Sequence, residues 1–457
     1  MKVFKVNNVL LTLAVIFVLI SGACTPAPVA APAAPVEPAA PAAPAAPAAP
    51  AEPAAPAEPA APVAKPLPNE IVVGVVQPLT GSFAVFGKEG QIGAELAIKH
   101  INEAGGIKSM GGLKLKAVVE DAGGTADSAK LATESMISKN RPVAILGEYI
   151  SRFVMAASEV TDREKVILIA DALVPQITQM GRQYLFRPGP TATTHGQMAY
   201  QFVKDTAKEA GVEIKTMAIL NEDSANGRAN SLGATEAALI DKFSIVTTLE
   251  YPYDITDATQ IVQQLQKTNP DVVIHTPYFN DAIVFGKAFK ETGYYPKFIA
   301  GAGACGYVDP ASIAALGDAA DGISMTFSYN PAKNTPQNKK FVDEYKATYG
   351  YIPTEGAGMN YYDAMVLYEA LEYSGTNFPD DPLNPDNLRA SFLALDLTSG
   401  PAVETYPGNQ IKFDATGQNM FPSVVVLQVQ KGQPVVVYPA DGAEAKPVFP
   451  NPYYKGK

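Results

Sequence analysis

From residue 69 onward, short apolar runs alternate with longer stretches of helical periodicity, and this alternation restricts the fold more than any other feature of the chain. Runs at 70–77, 113–121, 143–146 and 166–170 are interleaved with helical patterns at 88–103, 127–139 and 151–163. A strand that is apolar along its whole length needs cover on both faces, and a parallel sheet packed between helices provides it. The series breaks at Arg187-Pro188-Gly189-Pro190 and then resumes. The second series predicts helices at 194–210, 229–243, 257–267 and 281–292, with strands at 216–221, 244–251, 271–275 and 297–300. Two such series predict an α/β chain of two doubly wound lobes. Beyond them, helices are predicted at 338–349 and 359–373, then strands at 410–414, 423–430 and 434–438 at hairpin spacing.

The first 68 residues are of a different kind. Lys2 and Lys5 precede an apolar run from Val9 to Ile20. Twelve residues are too few to cross a bilayer, which takes about 20, but suit the core of a signal peptide. Ser21, Gly22 and Ala23 then lead to Cys24. Small residues before a cysteine at this place resemble a bacterial lipoprotein signal, in which the cysteine becomes the lipid-bearing first residue. Ser21 stands where that signal usually has leucine. The alternative is ordinary secretion with Cys24 unmodified. From Pro32 to Pro62 a proline recurs at every third position. Proline lacks an N–H and fixes φ, so helix is excluded despite the alanines. Three residues per turn align the prolines on one edge of a polyproline II rod. At ~3.1 Å per residue the segment reaches roughly 130 Å when extended, a spacer between a lipid anchor and a domain; a plain tail is the alternative.

The formal charge of −11 supplies no basic face for phosphate, so nucleic acid is not expected as a partner. If Cys24, one of the two cysteines, is lipidated, Cys305 is left without a disulfide mate.

The stretch 70–107 (EIVVGVVQPLTGSFAVFGKEGQIGAELAIKHINEAGGI) resembles the amino-terminal signature of the branched-chain amino acid-binding proteins, the solute-binding components of ABC importers. Three further segments fit in order: AILGEYIS at 144–151, KVILIADALVPQIT at 165–178 and LGDAADGI at 316–323. The resemblance implies the type I periplasmic-binding fold, a Venus flytrap of two lobes joined by three hinge crossings, here near 187–190, 327–331 and 418. The implied organisation is a signal peptide at 1–23, a linker at 24–68, a first lobe of 69–190 with 328–418, and a second lobe of 191–327 with 419–457. It also implies an extracytoplasmic, lipid-anchored monomer that captures an amino acid or related small carboxylate, docks on an ABC permease, and uses no cofactor or metal.

Ligand-binding candidates sit where strands end and helices begin, because helix N-termini there present free N–H groups. Ser151 is an expected N-cap at such a junction, and the resemblance gives the matching serine the ligand carboxylate. Capping alone is the bland reading. Arg152 has no counterpart in the family motif. It either grips a carboxylate in bidentate fashion or is a solvated surface residue. The family's alanine and threonine after the fourth strand correspond to Ala172 and Leu173, so the hydroxyl is missing and standard branched-chain recognition is in doubt. Asp171 beside them would favour a cation. Asn226 stands where the family has an aromatic residue, and Asn226-Gly227 also reads as a turn. Asp281 aligns with the acid that pairs with a ligand ammonium; the alternative is a helix cap. Phe86, Tyr278 and Phe279 are candidate stacking walls or simply core, and Thr80 and Ser82 form a polar tip after the first strand. Aromatic acids, short peptides and polyamine-like cations remain open as ligands.

Competing classes are an extracellular sensor with the same fold and a secreted NAD-dependent enzyme. Gly301-Ala302-Gly303-Ala304-Cys305-Gly306 matches a dinucleotide-binding pattern, but that pattern requires a helix to begin within it. Tyr307 to Pro310 intervene, so it reads as a cleft loop. No triad or metal motif is present, and no catalytic residue is expected.

Overall fold

The run Ile71–Gln77 is buried along nearly its whole length, as its unbroken apolar character requires, and so becomes an interior strand. The computed structural model describes residues 65–456. The expected signal peptide, Cys24 and nearly all of the linker lie outside the described residues.

The first lobe builds on β1 (Glu70–Gln77), α1 (Ala84–Glu103), β2 (Lys114–Asp121), α2 (Ala126–Asn140), β3 (Ala144–Leu146), α3 (Ser151–Glu164), β4 (Ile167–Ile169) and β5 (Leu185–Phe186). Its five strands are parallel, in the order β2-β1-β3-β4-β5. The chain then enters the second lobe with α4 (Ala192–Glu209), β6 (Thr216–Glu222), α5 (Ala225–Ile240), β7 (Ser244–Tyr251), α6 (Thr259–Thr268) and β8 (Val272–Thr276). It continues through α7 (Phe279–Thr292), β9 (Phe298–Gly301), α8 (Pro310–Leu316) and β10 (Ser324–Phe327). It returns to the first lobe for α9 (Pro336–Tyr349), α10 (Glu355–Asn377), α11 (Pro385–Ala394), β11 (Asp396–Leu397), α12 (Pro401–Thr405) and β12 (Ile411–Lys412), with α10 lying along α1. It crosses a last time to add β13 (Val425–Gln430) and β14 (Gln433–Tyr438) antiparallel to the second sheet, giving the order β14-β13-β10-β9-β8-β6-β7. This is the two-lobed α/β architecture of a type I periplasmic-binding protein. The first and third crossings run side by side, bridged at Arg187 and Gln418.

Three expectations are corrected. The strand expected at 410–414 does not join the terminal hairpin: β12 pairs with β11 on the first lobe, and only β13 and β14 form the hairpin. The helix expected from residue 229 begins at Ala225, because the Ser224 Oγ accepts from the N–H groups of Asn226 (3.1 Å) and Gly227 (3.4 Å). Asn226-Gly227 is therefore the first turn of a helix rather than a loop. β5 and β10 were not anticipated, one for its two-residue length and the other for its polar alternation, and neither were the short helices α8, α11 and α12.

Helices α4 and α5 touch backbone to backbone through reciprocal glycines. A Cβ on Gly196 would lie 1.9 Å from the Asn230 carbonyl oxygen, and one on Gly233 2.1 Å from that of Thr193. In an open helix, glycine to alanine is stabilising by about 1 kcal/mol. Here the sign reverses: Gly196→Ala is expected to cost about 1–3 kcal/mol through helix separation, read as a lower urea midpoint. A midpoint that rises would show that the helices part freely.

Candidate functional site

Both sheets turn the carboxyl ends of their parallel strands toward each other, and the loops that follow these strands carry the side chains between the lobes. After β1, the Thr80 hydroxyl donates to Asp121 Oδ2 at 2.6 Å, and Ser82 is exposed. Phe83, next in line, is buried and faces Tyr278 edge-on (6.0 Å) and Tyr253 in a stack (6.3 Å), both on the second lobe. Phe86 lies deeper, stacked on Tyr149 at 4.8 Å.

After β3 the backbone reaches α3 with Ile150, not Ser151, in the extended capping conformation. Ser151 is thus the first helical residue, and its hydroxyl cannot cap from there. It instead accepts from the N–H of Val174 at 3.4 Å, pinning the loop after β4. Arg152 projects over Phe83 and Phe153, each 5.2 Å from the guanidinium carbon, and over Tyr253 at 5.9 Å. Such contacts attract a cation to the ring face. Among the described residues, Arg152 makes no ion pair and no hydrogen bond with a side chain or carbonyl.

Ala172 and Leu173 are buried, and their carbonyls are occupied: that of Ala172 accepts from Arg187 at 3.2 Å, that of Leu173 from the N–H of Ala192 at 2.7 Å. Asp171 accepts from Asn360 (2.6 Å) and Gln77 (3.3 Å), and burial pushes its carboxyl up to about 6.

On the second lobe, Glu222 is tied to Ser224 by backbone and hydroxyl donors at 2.6 and 2.8 Å. Tyr278 occupies the N-cap position of α7 without a side-chain cap bond, and Asp281, in its first turn, is buried. Asp281 Oδ2 accepts from the Tyr278 N–H and the Tyr251 hydroxyl, both at 3.0 Å. Burial raises both carboxyls to about 6.

These elements enclose a cavity of about 200 Å³ between the lobes. The first lobe lines it with Phe83, Ile150, Ser151, Arg152 and Met155; the second contributes Ser224, Ala225, Asn226, Tyr253 and Tyr278. Of the sequence candidates, the cavity brings together Ser151, Arg152, Asn226 and Tyr278. Thr80, Ser82, Phe86, Ala172, Leu173, Phe279 and Asp281 stand outside its lining. Phe83, Tyr253 and Ser224 are additions. Each follows a parallel strand, so the strand-end rule that selected Ser151 also points to them. Among the described residues, one guanidinium is the sole charged group of the lining, and no carboxylate faces the space. Deeper in, the Tyr149 hydroxyl meets Cys305 Sγ of the opposite lobe at 3.7 Å, so the lobes are in direct contact. The glycine-rich loop 301–306 does not open a helix: α8 starts at Pro310, capped by Asp309. Among the described residues no group of three or more His, Cys, Asp or Glu side chains is placed to hold a metal ion, and no helix is long and apolar enough to cross a membrane.

A family model described as "Periplasmic binding protein" matches residues 70–434. Leu/Ile/Val-binding protein homolog 8 of Brucella abortus is 32% identical over 390 residues, covering 83% of this chain and 93% of its own. Among solved structures, the branched-chain amino acid transporter substrate-binding protein LivJ from Streptococcus pneumoniae, in complex with isoleucine, superposes with a TM-score of 0.69 at 20% identity, covering 83% of this chain and 100% of its own. A solute-binding protein of an ABC transporter from Rhodopseudomonas palustris, in complex with 3,4-dihydroxybenzoic acid, gives 0.67 at 23%, covering 80% and 95%. At these identities the solved structures speak to the fold. The family match across most of the chain and the one-third identity to a Leu/Ile/Val-binding homologue speak to kinship: the chain belongs to the periplasmic binding protein family.

Proposed function

We propose that this chain captures a small carboxylate, an aromatic acid before an amino acid, in the cavity between its lobes, closes on it by hinge motion, and delivers it to an ABC permease for import. The observation that carries the reading is Arg152, a guanidinium without an anionic partner, framed by Phe83 and Tyr253 at a cavity lined from both lobes. A planar fork of donors between aromatic faces suits a carboxylate joined to a ring. An amino acid would also need an acceptor for its ammonium. The two nearby carboxyls, Glu222 and Asp281, are both engaged with their own helix starts and lie outside the lining. That one structural neighbour holds a dihydroxybenzoate and another isoleucine is in keeping with either ligand on this fold. Closure around the ligand excludes water and strengthens each polar contact. In this reading the lipid on Cys24 and the proline-rich spacer tether the receptor outside the cytoplasm.

The test is a thermal-shift screen of benzoate, 4-hydroxybenzoate and 3,4-dihydroxybenzoate against leucine and isoleucine, followed by calorimetry. A ligand at a hundredfold its Kd stabilises by about 2.7 kcal/mol through mass action, a shift of several degrees. We expect the benzoates to produce it. Leucine or isoleucine alone producing it would overturn the aromatic preference, and silence from all five would overturn the carboxylate reading.

A further inference from the structure

Glu355 is the first residue of α10 on the first lobe and is fully buried. Its Oε1 accepts from the N–H of Ser328 at 2.6 Å, at the start of the second crossing. Its Oε2 makes no hydrogen bond of good geometry among the described residues, with the Cys305 thiol, a weak donor, lying against the carboxyl. The second lobe closes over it with Cys305, whose thiol also meets Tyr149, and with Asp309. Glu355, Cys305 and Asp309 line a void of about 10 Å³ at the seam, on the scale of a single water.

The titratable groups around Glu355 come from both lobes. Asp171, Tyr149 and Tyr362 face it from the first, Cys305 and Asp309 from the second. Across Ser328 stands His195 of α4, its ring nitrogens 2.8 Å from the hydroxyls of Thr326 and Ser328. None of these is a cation: burial pushes His195 down to about 3, so it is neutral. A carboxylate sealed in with acids and phenols, with one oxygen offered at best a weak thiol donor, is costly.

We propose that closing the lobes takes up a proton at Glu355, so that the closed state gains on the open one as the medium becomes more acidic. The inference rests on the hinge motion of the proposed function. Opening withdraws Cys305 and Asp309 and admits water, which returns the carboxyl to its ordinary range; with the lobes together, burial holds it near 7. The group is thus raised in the closed state. The bias toward closure is complete below the open-state value, falls by about tenfold per unit between the open-state and closed-state values, and levels off above the closed-state value. Between pH 6 and pH 8 the closed-to-open ratio should fall about tenfold.

The experiment is electron–electron distance measurement between spin labels at Leu131→Cys on α2 and Leu239→Cys on α5, both exposed, in the full chain carrying Cys24→Ser. We expect two distance populations whose ratio shifts about tenfold from pH 6 to pH 8 in the otherwise wild-type chain, and a flat ratio in the isosteric Glu355→Gln chain. Two populations with a pH-independent ratio would overturn proton coupling while leaving hinge motion intact. A single narrow distance at every pH would overturn the hinge reading as well. A Glu355→Gln chain that still follows pH would move the proton to another group and overturn this assignment; its melt by circular dichroism establishes that it folds.

Discussion

Replacing Arg187 with methionine is expected to lower the stability of the chain by about 3 kcal/mol, the largest loss predicted here for a single side chain. Arg187 is fully buried at the first crossing and has no carboxylate partner among the described residues. Its charge is instead dispersed over neutral acceptors: Gln418 Oε1 at 2.7 Å, the carbonyls of Val174 and Ala172 at 2.7 and 3.2 Å, and the Thr178 hydroxyl at 3.3 Å. Burial draws the guanidinium down to about 9, so it is still charged at neutral pH. Methionine fills much of the space and removes the cost of burying a charge. Against this gain, it leaves several buried acceptors without donors, each worth about 1–3 kcal/mol. The loss wins because two of the acceptors, the carbonyls of Ala172 and Val174, are backbone and cannot turn away. The damage is also directional: Gln418 belongs to the third crossing, and Ala172 and Val174 to the loop that Ser151 pins. Urea denaturation should show a lower midpoint with an unchanged slope. A loss below about 1 kcal/mol would mean that water replaces the guanidinium and that the crossings are held elsewhere.

How far the molecule was legible from sequence depends on where each segment's polar groups are satisfied. β1 was legible because Val72, Val73, Val75 and Val76 declare burial on both faces. β10 was not, because Ser324 and Thr326 look like loop residues. Both are buried, with the Thr326 hydroxyl bonded to the Gly303 N–H and to His195, partners remote in the chain. The start of α5 needs the local capping rule two residues earlier: the Asn226-Gly227 pair reads as a turn, while Ser224, two residues before it, is the cap. Ser151 shows the converse, a cap by composition that Ile150 displaces by backbone conformation. At the site, Ser151, Arg152 and Tyr278 follow from strand ends and Asn226 from the family resemblance, and every parallel strand delivers its next residues to the same edge. The facing of Phe83 by Tyr253, and of Tyr149 by Cys305, depends on how two lobes meet, and no periodicity along one chain encodes that. Asp281 was legible as the first turn of a helix; that Tyr251 and Tyr278 enclose it was not.

Arg152→Gln is expected to weaken capture of the benzoate identified by calorimetry about 30- to 150-fold, with little change in the melting temperature of the free chain. The two halves of this expectation arise from one observation. In the free chain Arg152 is exposed, and its recorded interactions are with ring faces. Exposed cation–π contacts are worth about 0.5–1 kcal/mol, so stability barely responds. In the closed complex the same guanidinium would face a carboxylate with water excluded, where losing one partner of a hydrogen-bonded charge pair costs about 2–3 kcal/mol or more. That difference is what converts to the stated factor. Arg152→Lys separates charge from geometry. The ammonium keeps the Coulomb attraction but loses the planar fork, so an intermediate loss of about tenfold is expected. Asp281→Asn separates the two ligand classes. If the ligand has no ammonium, affinity should hold within about threefold, since Asp281 accepts from the Tyr278 N–H and lies outside the lining. If the ligand is an amino acid, Asp281→Asn should cost as much as Arg152→Gln. Wild-type affinity in the Arg152→Gln chain would remove the guanidinium from the site and, with it, the reason for preferring an aromatic acid.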